Sequence, residues 1–437
     1  MVRRGWPNVL SVVAVQLVAL LLCAPAIAES ELGHRTHWVA AWGTSQQPNV
    51  TQATISNATV RMIARVTIPG DTIRIRLDNT FSAAPVTIGK AYVGYRVQGA
   101  LVAAGSSRQV TFAGSPSVVI SAGGSVVSDP VAIAVLAWQD LAISLYVPET
   151  NIHPSEHGGA VVTSYRTADG SGDSTADETR TAFTPTTTSM YWLKSIDVLA
   201  SASTSAIVAF GDSITDGTCT TLDAHDRWED WISIRLDLAR GEDSSRHFLS
   251  ALQRSFEHEG GRRATVNEGI GGNTITRENL QPPPDSTPGL ERIDRDVFSH
   301  VGLSHVVLFM GTNDIRREAS AAQVIAGMQT IIQRVKEKGL TIYGVTIIPR
   351  HNVAPSGTNT GWNPAKTAIR NEVNRWIRTK APFDGVLDFD RVVRDPANPD
   401  LLTPAFNCGD GIHPSPAGYY QLGKSVDLDL FSGDHDL

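Results

Sequence analysis

Residues 206–217 read Ala-Ile-Val-Ala-Phe-Gly-Asp-Ser-Ile-Thr-Asp-Gly, an apolar run that stops at a glycine and is followed at once by a serine. A short apolar run bounded by glycine fits a buried parallel strand, and the active-site groups of open α/β sheets gather at the carboxyl ends of such strands. Ser213 therefore lies where the chain must turn sharply and is the first candidate nucleophile. From Ser205 onward strands alternate with helices: residues 306–309 and 341–348 read as buried strands, and residues 321–338 and 365–379 carry helical spacing. That alternation predicts a parallel sheet covered by helices on both faces. No G-x-S-x-G elbow occurs, which weighs against the α/β-hydrolase fold.

Upstream the pattern is different. Residues 60–62, 73–77 and 141–147 alternate apolar and polar side chains, as half-buried strands do, and other short strands lie between Gly, Pro and Ser turns. No amphipathic helix stands out, and the turn spacing suits a β-sandwich or jelly-roll. Residues 168–188, rich in Ser, Thr, Asp and Gly, read as an exposed loop or linker, and residues 190–199 as a last strand returning to the same β part. The expected organisation is a leader over residues 1–28, a β-sandwich-like part over 29–200 and a catalytic part over 201–437.

Downstream of Ser213 come Asn267-Glu-Gly-Ile-Gly-Gly-Asn-Thr274, Gly311-Thr-Asn-Asp314 and Asp410-Gly-Ile-His-Pro414. With the Gly211–Gly217 block, these segments in this order closely resemble the SGNH hydrolases, also called GDSL esterases and lipases, over roughly residues 205–430. The resemblance implies a flavodoxin-like three-layer α/β/α catalytic fold. A serine hydroxyl attacks a carbonyl poorly until a base takes its proton, and histidine suits that task near neutral pH. Among the twelve histidines, His413 has Asp410 three residues before it to orient the ring, whereas His300, His305 and His351 lack such a companion in sequence. By resemblance, the oxyanion donors are the backbone N–H of Ser213, the backbone N–H of Gly272 and the side-chain amide of Asn313. Singly, these blocks could be a tight turn, a helix cap and a turn former; it is their combination with Ser213 that carries the functional reading. Asp212 and Asp216 are expected to hold the turn through backbone hydrogen bonds, Trp228 and Trp231 to pack, and Trp362 to wall the substrate cleft.

The 437 residues suggest about two or three domains, and 41% hydrophobic with 19% charged side chains is an ordinary globular composition. Arg3 and Arg4, an apolar stretch over residues 9–23 and Ala26-Ile-Ala28 read as a secretory signal cleaved after Ala28. The stretch is shorter than the ~20 residues of a spanning helix, and Leu22 stands where a lipoprotein signal requires a small residue. Cleavage leaves 35 basic against 44 acidic side chains, a surface that repels polyanions, so nucleic acid is not an expected partner. It also leaves Cys219 and Cys408, which flank the candidate catalytic loops; they read as a disulfide in an oxidising compartment or as two separate buried thiols. Walker, H-E-x-x-H and C-x-x-C patterns are absent, and no cofactor or metal is expected.

The resulting expectation is a secreted or periplasmic serine esterase acting on short-chain esters, lipids or acylated glycans, without stable membrane insertion. The alternatives are a carbohydrate- or wall-binding protein with an inactive hydrolase-like part, and an acyltransferase or thioesterase using the same triad. Oligomeric state is open at this level.

Overall fold

The computed structural model describes residues 36–48, 52–246, 261–350 and 361–432, and His37–Leu437 form one compact unit. The leader expected over residues 1–28 lies outside the described residues. No described helix is long and apolar enough to cross a membrane.

The strand-rich part is built of antiparallel sheets. In one, β1 (Thr36–Gly43), β3 (Gly70–Asp78), β5 (Val131–Val135) and β7 (Leu193–Ser201) run in the order β1-β7-β3-β5. In the other, β6 (Gln139–Val147) pairs with both β2 (Ala58–Val66) and β4 (Lys90–Gln98). Alternation explains the half-burial of β3: Ile73, Ile75 and Leu77 point into the core while Arg74 and Arg76 do not. β7 is the returning strand expected near residues 190–199. Residues 168–188 are largely exposed, as expected, but they are pinned: Arg61 donates to the carbonyls of Asp177 and Thr179, its guanidinium covers the Phe183 ring at 3.7 Å, and Thr59 donates to the Gly172 carbonyl. This loop is therefore part of the folded β structure rather than a linker.

The second part is an α/β unit with five parallel strands, β8 (Ser205–Gly211), β9 (Arg263–Gly269), β10 (Leu303–Phe309), β11 (Thr341–Val345) and β12 (Gly385–Leu387). Their order, β9-β8-β10-β11-β12, is the flavodoxin-like one, with its switch point between β8 and β10. The central strand β8 is buried throughout because both faces are covered. Ile207 and Ala209 pack on one side with Trp228 and Ile232 of α2 (Trp228–Arg246), which follows the short nucleophile turn α1 (Ser213–Asp216). Ala206, Val208 and Phe210 face the opposite layer, and on that side the hydrophobic core runs without a break into the strand-rich part, reaching Val39, Val66 and Ile196.

The helix expected over residues 321–338 spans Ala321–Glu337, started by a capping box of Ser320 and Gln323. The one over residues 365–379 begins a residue earlier, at Pro364, a position that suits proline because its missing N–H would be unbonded there anyway. The strand expected over residues 341–348 stops at Val345. Its neighbour β12 ends at Leu387, and the Asn374 side chain takes over from there, accepting from Ile347 N at 2.7 Å and donating to Ile347 O at 2.8 Å.

Candidate active site

The carboxyl ends of β8, β9 and β10 are in register: Gly211 lies opposite Gly269 on one side and Phe309 on the other. The loops that follow these strands carry Ser213, Gly272 and Asn313, so parallel pairing alone gathers three of the sequence blocks at one edge. The fourth is brought in by covalent and hydrogen-bonded ties. Cys219 and Cys408 form a disulfide with Cα atoms 6.2 Å apart, and Cys408 N donates to His413 O at 3.1 Å.

Ser213 Oγ is 2.8 Å from His413 Nε2, and His413 Nδ1 is 2.5 Å from Asp410 Oδ2. Asp410 can only accept when ionised, so the ring donates through Nδ1 and presents Nε2 as acceptor to the serine hydroxyl. Partial burial would raise Asp410, but the bonds from the His413 ring and from the N–H groups of His413 and Ile412 outweigh it and hold the carboxyl well below its usual range. It is an anion wherever the ring could act as a base. Asp212, the N-cap of α1, accepts from Ile214 N at 3.0 Å and is raised to about 6 by burial, the turn-holding role expected of it.

Gly272 has φ +69°, a left-handed conformation that an L side chain rarely adopts, and no protein atom lies within 4 Å of where its Cβ would be. The side facing that position is open. Asn313, in α3 (Thr312–Arg316) after the left-handed Gly311, spends one amide hydrogen on Asn273 O at 3.1 Å and has the other for a ligand. Asp314 beside it is fully buried, accepts from the N–H groups of Ile275 and Thr276, and is raised to about 7 by burial. Close contact matters at Gly269, where a Cβ would meet Asp216 N at 2.2 Å; only glycine lets β9 pass this near the nucleophile turn.

Several important residues are invisible as motifs. Asp216 braces the turn through its backbone, N–H to Asp212 O at 2.9 Å, but its side chain does something the sequence does not announce: Oδ1 meets Nε2 of His157, from the strand-rich part, at 2.9 Å. His157 Nδ1 faces Ser45 O at 2.8 Å, so both ring nitrogens meet acceptors and the ring is an imidazolium. Burial works against that charge, but the Asp216 carboxylate outweighs it and the net direction of the His157 pKa is upward. A raised folded-state pKa contributes stability that is complete below the unfolded value of about 6.5 and is lost as pH rises through the folded value. His157→Gln is therefore expected to unfold with a midpoint that declines less than wild type above about pH 6.5; identical pH profiles in denaturant titrations would contradict the pairing.

Arg292 is equally central. It donates to Gly211 O at 2.8 Å, Asn273 Oδ1 at 3.0 Å, Ser45 Oγ at 2.9 Å and Asp296 Oδ2 at 3.1 Å, bracing the nucleophile strand and the Gly272 loop together. His300 has no acidic neighbour in sequence but finds one in space, Glu268 Oε1 at 2.5 Å. Trp228 packs in the core as expected, and Trp231 stacks edge-on against Tyr420. Trp362 differs from expectation: it is 3% exposed and its indole donates to Thr367 Oγ1 at 3.0 Å, so it supports the core rather than forming an open wall.

Residues 209–421 match the GDSL-like Lipase/Acylhydrolase family. No curated protein matches the chain. Among solved structures, a carbohydrate acetylesterase family member from Sinorhizobium meliloti is 18% identical with a TM-score of 0.37, over 52% of this chain and 97% of that one. An inhibitor-bound aryl esterase of M. smegmatis is 18% identical with a TM-score of 0.38, over 52% of this chain and 98% of that one. Neither likeness bears on the substrate.

Proposed function

We propose, from the match of residues 209–421 to the GDSL-like Lipase/Acylhydrolase family, that this chain is a carboxylic-ester hydrolase, an exported serine esterase working through an acyl-serine on Ser213. Ser213 Oγ attacks the ester carbonyl while its proton passes to His413 Nε2, and the imidazolium is stabilised by Asp410. The tetrahedral oxyanion is received by the backbone N–H groups of Ser213 and Gly272 and by the Asn313 amide. The alcohol leaves with the proton from His413. Water, activated by the same ring, then attacks the acyl carbon and frees the acid. Short-chain esters, lipids and acylated glycans are the substrate classes this reading covers.

The observation that carries the reading is the continuous chain Ser213 Oγ to His413 Nε2 to Asp410, at 2.8 and 2.5 Å. The Cys219–Cys408 disulfide supports export, since such bonds persist in oxidising compartments. In this proposal residues 1–28 are the export signal, residues 29–200 a strand-rich part and residues 201–437 the catalytic part. A chromogenic short acyl ester and a serine-directed phosphonate provide the test: turnover and a phosphonyl adduct on the Ser213 peptide are expected. A protein that neither hydrolyses the ester nor takes the label is not an esterase of this kind. Asn313→Ala is expected to lower kcat by about 10²- to 10³-fold with a small change in KM, read from steady-state kinetics on the same ester.

A further inference from the structure

Arg350 is the last described residue of the buried stretch that leaves the carboxyl end of β11. The residue is 5% exposed, and a guanidinium carries five N–H donors. Among the described residues its one hydrogen bond is a long contact from Nη1 to Thr312 Oγ1 at 3.4 Å, and its carbon lies 5.3 Å from the centre of the Trp362 ring. No described carboxylate forms an ion pair with it. Burial, with Arg316 nearby, lowers the group to about 10 against the pull of Asp212 and Asp410, and it remains a cation at neutral pH.

The surroundings of this cation give it meaning. Thr312 precedes Asn313, Asp212 precedes Ser213, and Asp410 is the partner of His413. Asp212 accepts from Ile214 N and Asp410 from the His413 ring, and neither forms an ion pair or hydrogen bond with the guanidinium. Withdrawing a charge from water without pairing it is costly, and a cation in that state beside the reacting groups is open to an anion supplied from outside the protein. The planar fork of arginine fits a carboxylate through two parallel N–H bonds.

We infer that Arg350 forms a subsite for a carboxylate carried by the substrate, so that the preferred esters bear a negative charge close to the scissile bond. This rests on the esterase reading and narrows its substrate class. It also accords with a surface whose overall charge is negative: the acidic exterior offers such esters no general attraction, and recognition falls to one local cation.

The test compares matched esters on the full-length protein: 4-acetoxybenzoate against 4-acetoxybenzamide for a charge on the alcohol side, and 4-nitrophenyl hydrogen succinate against 4-nitrophenyl butyrate for a charge on the acyl side. The quantity read is the anion-to-neutral ratio of kcat/KM in wild type, Arg350→Gln and Arg350→Lys. In one of the pairs that ratio is expected to fall about 10- to 100-fold in Arg350→Gln, with Arg350→Lys retaining part of it. Benzoate is expected to inhibit the wild type competitively and benzamide not to. A ratio that stays within about threefold across all three proteins in both pairs, with inhibition equal for benzoate and benzamide, overturns the inference and leaves the esterase intact. Should the wild type hydrolyse none of the four esters, the esterase reading falls and this inference with it.

Discussion

Ser213→Ala is expected to lower kcat by about 10⁶-fold while leaving the unfolding midpoint close to wild type. The loss is large because the hydroxyl takes part in both halves of the reaction: without it there is no acyl-enzyme, and His413 has no oxygen at 2.8 Å from which to withdraw a proton. Removing the oxygen from a residue that is 8% exposed, in a turn held by Asp212 and Gly217 rather than by the serine side chain, opens little space and breaks no structural bond. What survives in the variant is the oxyanion pocket, which alone sustains roughly 10³- to 10⁴-fold over water in other triad enzymes. Because serine and histidine act as one unit, Ser213→Ala combined with His413→Ala is expected to be no slower than either alone. Pre-steady-state kinetics with an activated ester check the argument: the wild type should show an acyl burst and the variant none. A burst of undiminished amplitude would move the nucleophile to another residue.

The parallel sheet and the chemistry at its edge were legible because they depend on local signals. The apolar run before Gly211, the glycines around residue 270 and the Asp410–His413 spacing each announce a strand end or a turn, and a shared register of parallel strands then does the gathering. The antiparallel part was readable for the same reason, through period-two alternation in strands such as Gly70–Asp78. Long-range polar contacts were not legible. His157 meets Asp216 across 59 positions and Ser45 meets Arg292 across 247, and no spacing rule relates residues so far apart. Arg350 was hidden for a related reason: an arginine after a strand has no sequence signature of burial. The 168–188 segment reads as a loop or linker from its composition, but what fixes it was hidden: Arg61 holds it through carbonyl oxygens that any sequence would supply.

Lys194→Met is expected to cost about 3–5 kcal/mol of stability, the range for removing one member of a buried ion cluster. Lys194, on β7, is 1% exposed, and its ammonium donates to Thr44 O at 3.1 Å, Glu268 Oε2 at 2.9 Å and Asp296 Oδ1 at 3.0 Å. Methionine has a similar length, so packing changes little and the loss is electrostatic. Burial pushes both acids upward, yet Lys194 with His300 holds Glu268 below its usual range, and Lys194 with Arg295 and Arg292 does the same for Asp296. Both carboxylates would stay buried after the substitution, with Glu268 left to His300 and Ser45, and Asp296 left to its two arginines. Glu268 is the worse placed of the two. Adding Glu268→Gln to Lys194→Met is therefore expected to recover part of the loss, so that the double variant is more stable than the sum of the singles by about 1–3 kcal/mol. Urea denaturation of the two single variants and the double measures this coupling. Since Lys194 belongs to the strand-rich part while Glu268 immediately precedes the Gly269–Gly272 loop, the destabilised variant should also label more slowly at Ser213 in urea concentrations below its unfolding transition. Strictly additive effects would show that the cluster is held by its hydrogen bonds one by one, and that the β part does not act on the catalytic loops through it.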